Sequence, residues 1–137
     1  LYLSRYFIDN KADSYQKLQA VRDTGEWEPW LLYMLEGIAE TAKATIAMIK
    51  NIKVLMRNFK KKIRTELPKI YRQELLNNLF NHPYTKIEFV MNDLDVTRLT
   101  AAKYLDQLVE IGLLHKEKIG RSNYYINKEL VSLFIER

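Results

Sequence analysis

The sequence contains no cysteine, and its 137 residues include only four glycines, three prolines and two histidines. The absence of cysteine excludes disulfide bonds and thiolate metal sites. Four glycines, two of them at predicted helix ends and one in a predicted hairpin, are too few for a glycine-rich loop that cradles nucleotide phosphates. His82 and His115 have no partner at a spacing typical of a metal site. No catalytic residue, cofactor or metal is therefore predicted.

Long hydrophobic runs are also missing. The stretch from Trp30 to Leu35 is typical, and it is far shorter than the roughly 20 apolar residues that cross a bilayer. With 47% apolar and 28% charged residues, the composition is that of a soluble globular protein, and a cytoplasmic location is expected. The chain opens with the apolar stretch Leu1–Ile8, without initiator methionine or signal-peptide features. We expect it to continue a longer protein, whose missing domain or a second copy covers these residues.

Charge is distributed unevenly along the chain. Residues 1–42 carry four basic and seven acidic side chains, residues 43–68 carry eight and one, and residues 69–137 carry ten and nine. The middle segment therefore accounts for the net charge of +5. Such a concentration attracts polyanions over a Debye length of about 8 Å at physiological salt. Its basic residues are Lys43, Lys50, Lys53, Arg57, Lys60, Lys61, Lys62 and Arg64.

The same segment has a helical period. Nine residues alternate spacings of three and four, the heptad pattern of a helix packed on others: Leu35, Ile38, Ala42, Thr45, Ile49, Ile52, Met56, Phe59 and Ile63. Pro29 suits the first turn and Pro68 ends the helix, which is predicted from about Glu28 to Leu67, roughly 60 Å long. Part of this seam is expected to dock on another chain or the missing domain. A basic residue also recurs every seven positions beside the seam. These basic residues form a stripe, which is interpreted as the solvated flank of a helical interface in preference to a phosphate-binding surface.

Shorter helices are predicted ahead of the long one. Asp13 or Ser14 can cap a helix that Gly25 ends. Trp27 and Trp30 lie just before and just inside the long helix. They could form a ligand platform, but anchoring of the helix start in the core is the favoured interpretation.

The residues after Pro68 predict a winged helix-turn-helix. Its first helix contains Ile70, Leu75, Leu76, Leu79 and Phe80 and ends at Asn81–Pro83. Thr85 and Glu88 suggest a capping box at the start of the second helix, and Thr97 caps the third, after a tight turn around Asp95 and Val96. Ala101, Tyr104, Leu105 and Leu108 face inward, and Gly112 provides a left-handed exit. A two-stranded hairpin of residues 113–119 and 123–127 follows, with Tyr124 and Ile126 on one face and residues 120–122 at its tip.

The third helix and the hairpin are candidates for binding double-stranded DNA. In a helix-turn-helix the N-terminal half of this helix meets base edges, while neighbouring groups contact phosphates. Leu99, on the same outer face, suggests a protein contact instead. The candidate DNA-binding residues are Thr97, Arg98, Thr100, Lys103 and Gln107 of the helix, and Lys116, Lys118 and Arg121 of the hairpin.

Four stretches of the sequence are informative together: residues 1–6, 25–31, 37–42 and 82–98, including Leu1-Tyr2-Leu3-Ser4-Arg5-Tyr6, Gly25-Glu26-Trp27-Glu28-Pro29-Trp30-Leu31 and His82-Pro83-Tyr84-Thr85. They resemble the C-terminal part of Fic-domain proteins with an appended winged helix. The family uses a His-Pro-Phe-x-x-Gly-Asn-Gly-Arg loop to move AMP from ATP onto a hydroxyl of a target protein, and nothing here matches that loop. The resemblance implies that residues 1 to about 42 are the last helices of the catalytic domain. It also implies that the loop lies upstream of Leu1.

The sequence thus predicts a mainly α chain with two domains, a helical segment over residues 1–67 and a winged helix-turn-helix over 68–137. The first hypothesis for function is a non-catalytic C-terminal part of a Fic-like adenylyltransferase, which binds DNA and self-associates, forming a dimer or larger homo-oligomer, through the long helix. The alternative is a protein-binding or regulatory module without DNA contact. Nucleotidyl transfer would belong to the parent protein, and the upstream Fic domain is a further expected partner.

Overall fold

A computed structural model describes residues 3–135 of the chain. The chain divides into two compact units, one ending at Lys50 and the other beginning at Asn51. The predicted domain boundary at residue 67 stays a prediction. In the described part the fold is mainly α, as predicted, with seven helices and one small antiparallel sheet. None of the described helices is long and apolar enough to span a membrane.

The first unit contains helices α1 (Leu3–Asp9) and α2 (Lys11–Thr24) and the first part of α3 (Glu28–Glu66). Gly25 ends α2 with φ of 70°, as predicted. Asp13 and Ser14 do not cap α2, because it begins after Asn10, whose side-chain amide donates to the Tyr6 carbonyl at 2.9 Å. Only one residue separates α1 from α2, so the second helix starts earlier than the capping pattern suggests.

Aromatic rings hold the start of α3 within this unit. Trp30 stacks on Phe7 at 6.4 Å between ring centroids, and the buried Tyr33 packs against Tyr6 and Phe7. The Tyr33 hydroxyl also forms a short hydrogen bond with the Ser14 hydroxyl. Trp30 therefore anchors the helix, as favoured from the sequence. Trp27, in contrast, is exposed.

The bounds of α3 confirm the predicted long helix, but the heptad seam is buried only in the second unit. There Phe59 and Ile63 lie in the core and Ile52 and Met56 pack against it. In the first unit Leu35, Ile38 and Ile49 are exposed. The packed face there is that of Tyr33 and Gly37, and Leu35 lies roughly 200° of helix rotation from Tyr33.

The second unit continues with α4 (Gln73–Asn81), the short strand β1 (Tyr84–Thr85) and α5 (Ile87–Leu94). Helix α4 ends before His82 and Pro83, as predicted. The predicted capping box is wrong, because Thr85 belongs to β1 and Lys86 occupies the cap position of α5. Thr85 is buried and donates its hydroxyl proton to Asn78 Oδ1 at 2.7 Å. A third strand, not foreseen from the sequence, thus joins the predicted hairpin.

Helix α6 (Arg98–Glu110) leads into strands β2 (His115–Ile119) and β3 (Ser122–Ile126). The sheet order is β1-β3-β2, so the central strand β3 pairs with both of the others. Its Tyr125 lies opposite Thr85 of β1 and opposite Lys116 of β2. Ile119 pairs with Ser122, so the hairpin loop has two residues and not the three predicted. Its first residue, Gly120, has φ of 64°, as expected where glycine begins a two-residue hairpin loop. Gly112, with φ of 84°, supplies the predicted left-handed exit from α6.

A last helix, α7 (Lys128–Ile135), was not predicted. The buried Asn127 begins it by accepting a hydrogen bond from the Leu130 amide at 3.2 Å, and its own side-chain amide donates to the Leu79 carbonyl. Asn127 thereby ties α7 to the end of α4. The core that results is apolar and draws on α3 to α7: Leu55, Phe59, Ile63, Ile70, Leu75, Leu76, Leu79, Val90, Leu94, Ala101, Leu105, Leu108, Leu113, Leu114, Tyr125 and Leu130.

Candidate nucleic-acid interface

Helix α6 presents its outer face to solvent because its inner face is fixed in the core. Ala101, Leu105 and Leu108 are fully buried, as predicted, while Tyr104 is half-buried. Asp95, in the left-handed region with φ of 53°, makes the tight turn from α5. Such positive φ values suit Asp among non-glycine residues. The turn and the buried face together leave residues 97–100 at an exposed helix start.

Thr97 caps α6 as predicted. Its hydroxyl oxygen accepts from the Thr100 amide at 3.3 Å and also bonds the Thr100 hydroxyl at 3.0 Å. The cap satisfies one of the amides that a helix start leaves unpaired. Thr100 is half-buried, and both hydroxyls are engaged with each other. An anion at this end would meet the remaining free amides and the positive end of the helix dipole.

Arg98 is exposed but not free. Its guanidinium lies 3.2 Å from a Glu88 carboxylate oxygen, on α5. A hydrogen bond from the backbone amide of Glu88 lowers the pKa of that carboxyl, and Arg98 lowers it further. Glu88 is therefore ionised at neutral pH and offsets the charge of Arg98. Because both side chains are more than half exposed, the pair is weak, and a phosphate or guanine could displace the carboxylate.

Further along α6, Lys103 is exposed, whereas Gln107 is half-buried. The side-chain carbonyl oxygen of Gln107 is buried and has no hydrogen-bond partner among the described residues. Gln107 was predicted to face outward with Lys103. It turns partly inward because it precedes the buried Leu108 at the end of the helix.

The base of the hairpin is joined to α6 by a charged cluster. Lys116 Nζ lies 3.7 Å from Asp106 Oδ1 and 5.8 Å from the centre of the Tyr125 ring, and the Tyr125 hydroxyl donates to the same carboxylate at 3.4 Å. Burial raises the pKa of Tyr125, and Asp106 raises it further. The tyrosine is therefore neutral at physiological pH. Lys116 therefore already has an ion-pair partner and a ring contact within the second unit.

The far end of the hairpin carries the remaining predicted cations. Lys118 lies on β2 opposite Asn123, and Arg121 occupies the second position of the loop. Both are exposed. Within residues 3–135 neither of them has an ion-pair partner, and the same holds for Lys103. These three cations are the ones that remain available to a ligand.

The ion pairs made by two acidic residues were not predicted from the sequence. Glu88 and Asp106 lie beside the candidate surface and neutralise Arg98 and Lys116. Glu88 is ten residues from Arg98 and on a different helix, and Asp106 is on the helix before the hairpin, so local spacing gives no signal of either pair. Leu99 has 85% of its surface exposed and is the most apolar part of the face.

A separate polar cleft lies between α4, β1 and α5, lined by Asn78, Asn81, His82, Tyr84 and Asp93 among others. Asn78 donates to Asp93 Oδ2 at 2.7 Å and accepts from Thr85, so its groups are satisfied internally. In the described part of the chain, no group of three or more His, Cys, Asp or Glu side chains is placed to hold a metal ion.

The chain matches a known protein family. Residues 55–130 fit the family described as the C-terminal domain of SoFic-like protein adenylyltransferases. The match covers more than half of the 137 residues and includes α4 to α6, the whole sheet and the last turns of α3. This is consistent with the resemblance to Fic-domain proteins in the sequence. The chain therefore belongs to the SoFic-like protein adenylyltransferase C-terminal domain family.

Proposed function

We propose that this chain is a non-catalytic accessory module of a Fic-like adenylyltransferase, and that its second unit is a winged helix that binds double-stranded DNA. Helix α6 would enter the major groove with its N-terminal half, and the loop of the β2–β3 hairpin would lie on the phosphate backbone. Transfer of AMP would belong to an upstream Fic domain. That domain would be a partner of the first unit.

The observation that carries the proposal is the exposed start of α6 beside a hairpin with free cations. The order of helix, turn, helix and hairpin is that of a winged helix-turn-helix. Lys103, Lys118 and Arg121 have no ion-pair partner in residues 3–135, so binding phosphate would not require breaking an internal pair. Residues 51–135 carry 15 basic and nine acidic side chains, which favours approach to a polyanion.

A protein partner for the same face is the second candidate, and Leu99 favours it. A side chain with 85% exposure at the tip of the outer face can insert into an apolar pocket. The Arg98–Glu88 pair also reduces the positive charge at that end. In this case the module regulates or assembles the adenylyltransferase without touching DNA.

Self-association through α3 is the remaining part of the proposal. Leu31, Leu35, Ile38 and Ile49 are exposed on the first part of the helix. They recur at intervals typical of a helix-packing face, which a second copy of the chain would cover.

A salt titration separates the DNA and protein functions. Binding of a fluorescently labelled duplex, followed by anisotropy, is expected to weaken steeply between about 50 and about 200 mM salt. Arg121→Ala should weaken binding to all sequences alike. Arg98→Ala should cost about 1–3 kcal/mol and relax sequence preference if Arg98 reads a base. No measurable binding at low salt would rule out the DNA function and leave the protein partner.

Glu88→Gln provides the matched control for Arg98. The substitution removes the competing carboxylate at 3.2 Å and leaves Arg98 in place, so duplex binding should strengthen. Unchanged binding in both Glu88→Gln and Arg98→Ala would contradict docking through this end of α6.

The proposal that the chain is non-catalytic has its own test. The chain incubated with labelled ATP should label no protein. Transfer of the label by the chain alone would refute this part of the proposal.

A further inference from the structure

Four basic residues on the second part of α3 share one side of the helix. Lys53, Arg57, Lys60 and Arg64 follow at spacings of four, three and four, so they form a row about 17 Å long at 1.5 Å per residue. This basic row lies beside the buried face of Leu55, Phe59 and Ile63. It therefore belongs to the second unit, which α4 to α7 complete.

The row is not neutralised within the protein. Glu66 is the single acidic residue of α3 after Glu40, and no cation of the row has an ion-pair partner in the described chain. The Arg64 guanidinium lies over the ring of Tyr71 at 5.5 Å, which orients it while preserving its charge.

The row borders a shallow groove between α3 and the start of α4. Lys53, Arg57 and Lys60 line one side and Gln73 and Leu76 the other, with Met56 between them. Gln73 accepts from the Tyr71 hydroxyl at 3.3 Å and donates to Asn77 at 3.0 Å. The Gln73 side-chain amide is thus fixed by neighbouring side chains. All charged residues that line the groove are basic.

The groove also adjoins the helix-turn-helix. Arg72, next to Gln73, donates from its guanidinium to the Leu94 carbonyl at 3.0 Å, at the turn between α5 and α6. Thr97, the cap of α6, follows three residues later. Arg72 therefore joins the start of α4, where Gln73 lines the groove, to the turn that precedes α6.

We propose that the basic row is a second phosphate-binding surface, which contacts the backbone of the same DNA duplex outside the segment read by α6. The inference rests on the proposed DNA function and extends it. The row would supply affinity independent of sequence, because contacts from lysine and arginine to backbone phosphates carry no direct information about the bases. Nucleic acid is favoured over an acidic peptide because Lys103, Lys118 and Arg121 of the same unit also have no ion-pair partner in residues 3–135.

The test compares two double variants with the same change in net charge. Arg57→Gln with Lys60→Gln removes half of the row. Lys62→Gln with Lys69→Gln is the control, because Lys62 lies about 140° of helix rotation from Arg57, beside Asn58 and Thr65, and Lys69 is exposed after the end of α3. Both variants should show the wild-type helical circular dichroism. Binding of a short mixed-sequence duplex is measured at about 50 and about 200 mM salt. A third variant, Lys103→Ala with Arg121→Ala, tests α6 and the hairpin.

Each phosphate contact contributes roughly a threefold loss of affinity over this salt range. Between the two salt concentrations the row variant should therefore lose about tenfold less affinity for the duplex than the wild type loses. It should also bind the duplex more weakly at low salt. The control should remain near wild type in both respects. Equal loss of duplex affinity in the row and control variants would overturn the proposal. Binding of a polyglutamate peptide is measured in parallel, and a row variant that binds this peptide more weakly but binds the duplex as the wild type does would also overturn it.

The third variant distinguishes the two proposals. Loss of binding in the α6 and hairpin variant, with the row variant matching its control, would overturn the row alone. Loss in the row variant with an unaffected α6 and hairpin variant would support the row and overturn DNA docking by α6. Absence of duplex binding by the wild-type chain would overturn both.

Discussion

The two units use the same long helix differently. In the second unit Phe59 and Ile63 of α3 are fully buried among side chains from four other helices and the sheet. In the first unit Leu35 and Ile38 continue the same apolar spacing but are exposed. A heptad pattern thus shows which face of a helix is apolar, whereas the elements that pack on the helix decide which part of that face becomes core.

The largest effect expected from this difference is on stability. Phe59→Ala removes a ring that is 1% exposed and that contacts Phe80 edge-on at 5.0 Å between centroids, so it should cost about 3–5 kcal/mol of unfolding free energy. The measurement is denaturant unfolding followed by far-ultraviolet circular dichroism. A cost near that of an exposed site would mean that α3 does not belong to this core.

A smaller loss is expected from the buried polar link of the second unit. Thr85→Val keeps the shape of the side chain but leaves Asn78 Oδ1 without its hydroxyl donor at 2.7 Å. The expected cost is about 1–3 kcal/mol, the usual result of leaving a buried polar atom unpaired. Thr100→Val, on the same unit but less buried, serves as a comparison. Equal costs would argue against the buried link.

In the first unit, a glycine-to-alanine substitution within a helix is expected to lower the stability instead of raising it. Gly37→Ala would normally stabilise a helix, but an added Cβ would lie 2.6 Å from the Tyr6 ring. We expect a loss of about 1–2 kcal/mol from overpacking. Both tryptophans lie in this unit, so unfolding followed by their fluorescence reports on it alone. Stabilisation by Gly37→Ala would contradict the packing of α1 on α3.

The smallest effect on stability is expected at the exposed face. Leu35→Lys with Ile38→Lys should change the unfolding free energy of the chain by no more than about 0.5 kcal/mol for each site. The same variant should lower the mass measured by light scattering if this face self-associates. Met56→Lys is unsuited to this purpose, because Met56 packs against the core of its own chain. A wild-type chain that is monomeric, or a mass unaffected by the variant, would contradict self-association.

Much of the fold followed from local chemistry. Pro29, Pro68, Gly25 and Gly112 punctuate the helices as predicted, and the Thr97 cap was confirmed. The wrong capping box and the missed strand β1 share a cause, since Thr85 could serve equally as a helix cap or a strand residue. Pairing with Tyr125, forty residues away, decides between the two.

The candidate site was predictable in position more than in charge. Arg98 and Lys103 lie on the exposed face of α6 as the helical periodicity indicates, and Arg121 is exposed in the hairpin loop. The acidic partners Glu88 and Asp106 come from other helical turns, and only the packing of α5 and the hairpin on α6 brings them within reach.

The sequence by itself determined the boundaries of α3 and α6, because proline, glycine and the capping Thr97 act on their own neighbours in the chain. It also determined where the positive charge concentrates. Only the tertiary structure decided which apolar residues of α3 are covered, that a third strand joins the hairpin, and which cations remain unpaired. These outcomes depend on contacts between residues distant in sequence, and local propensity carries no information about them.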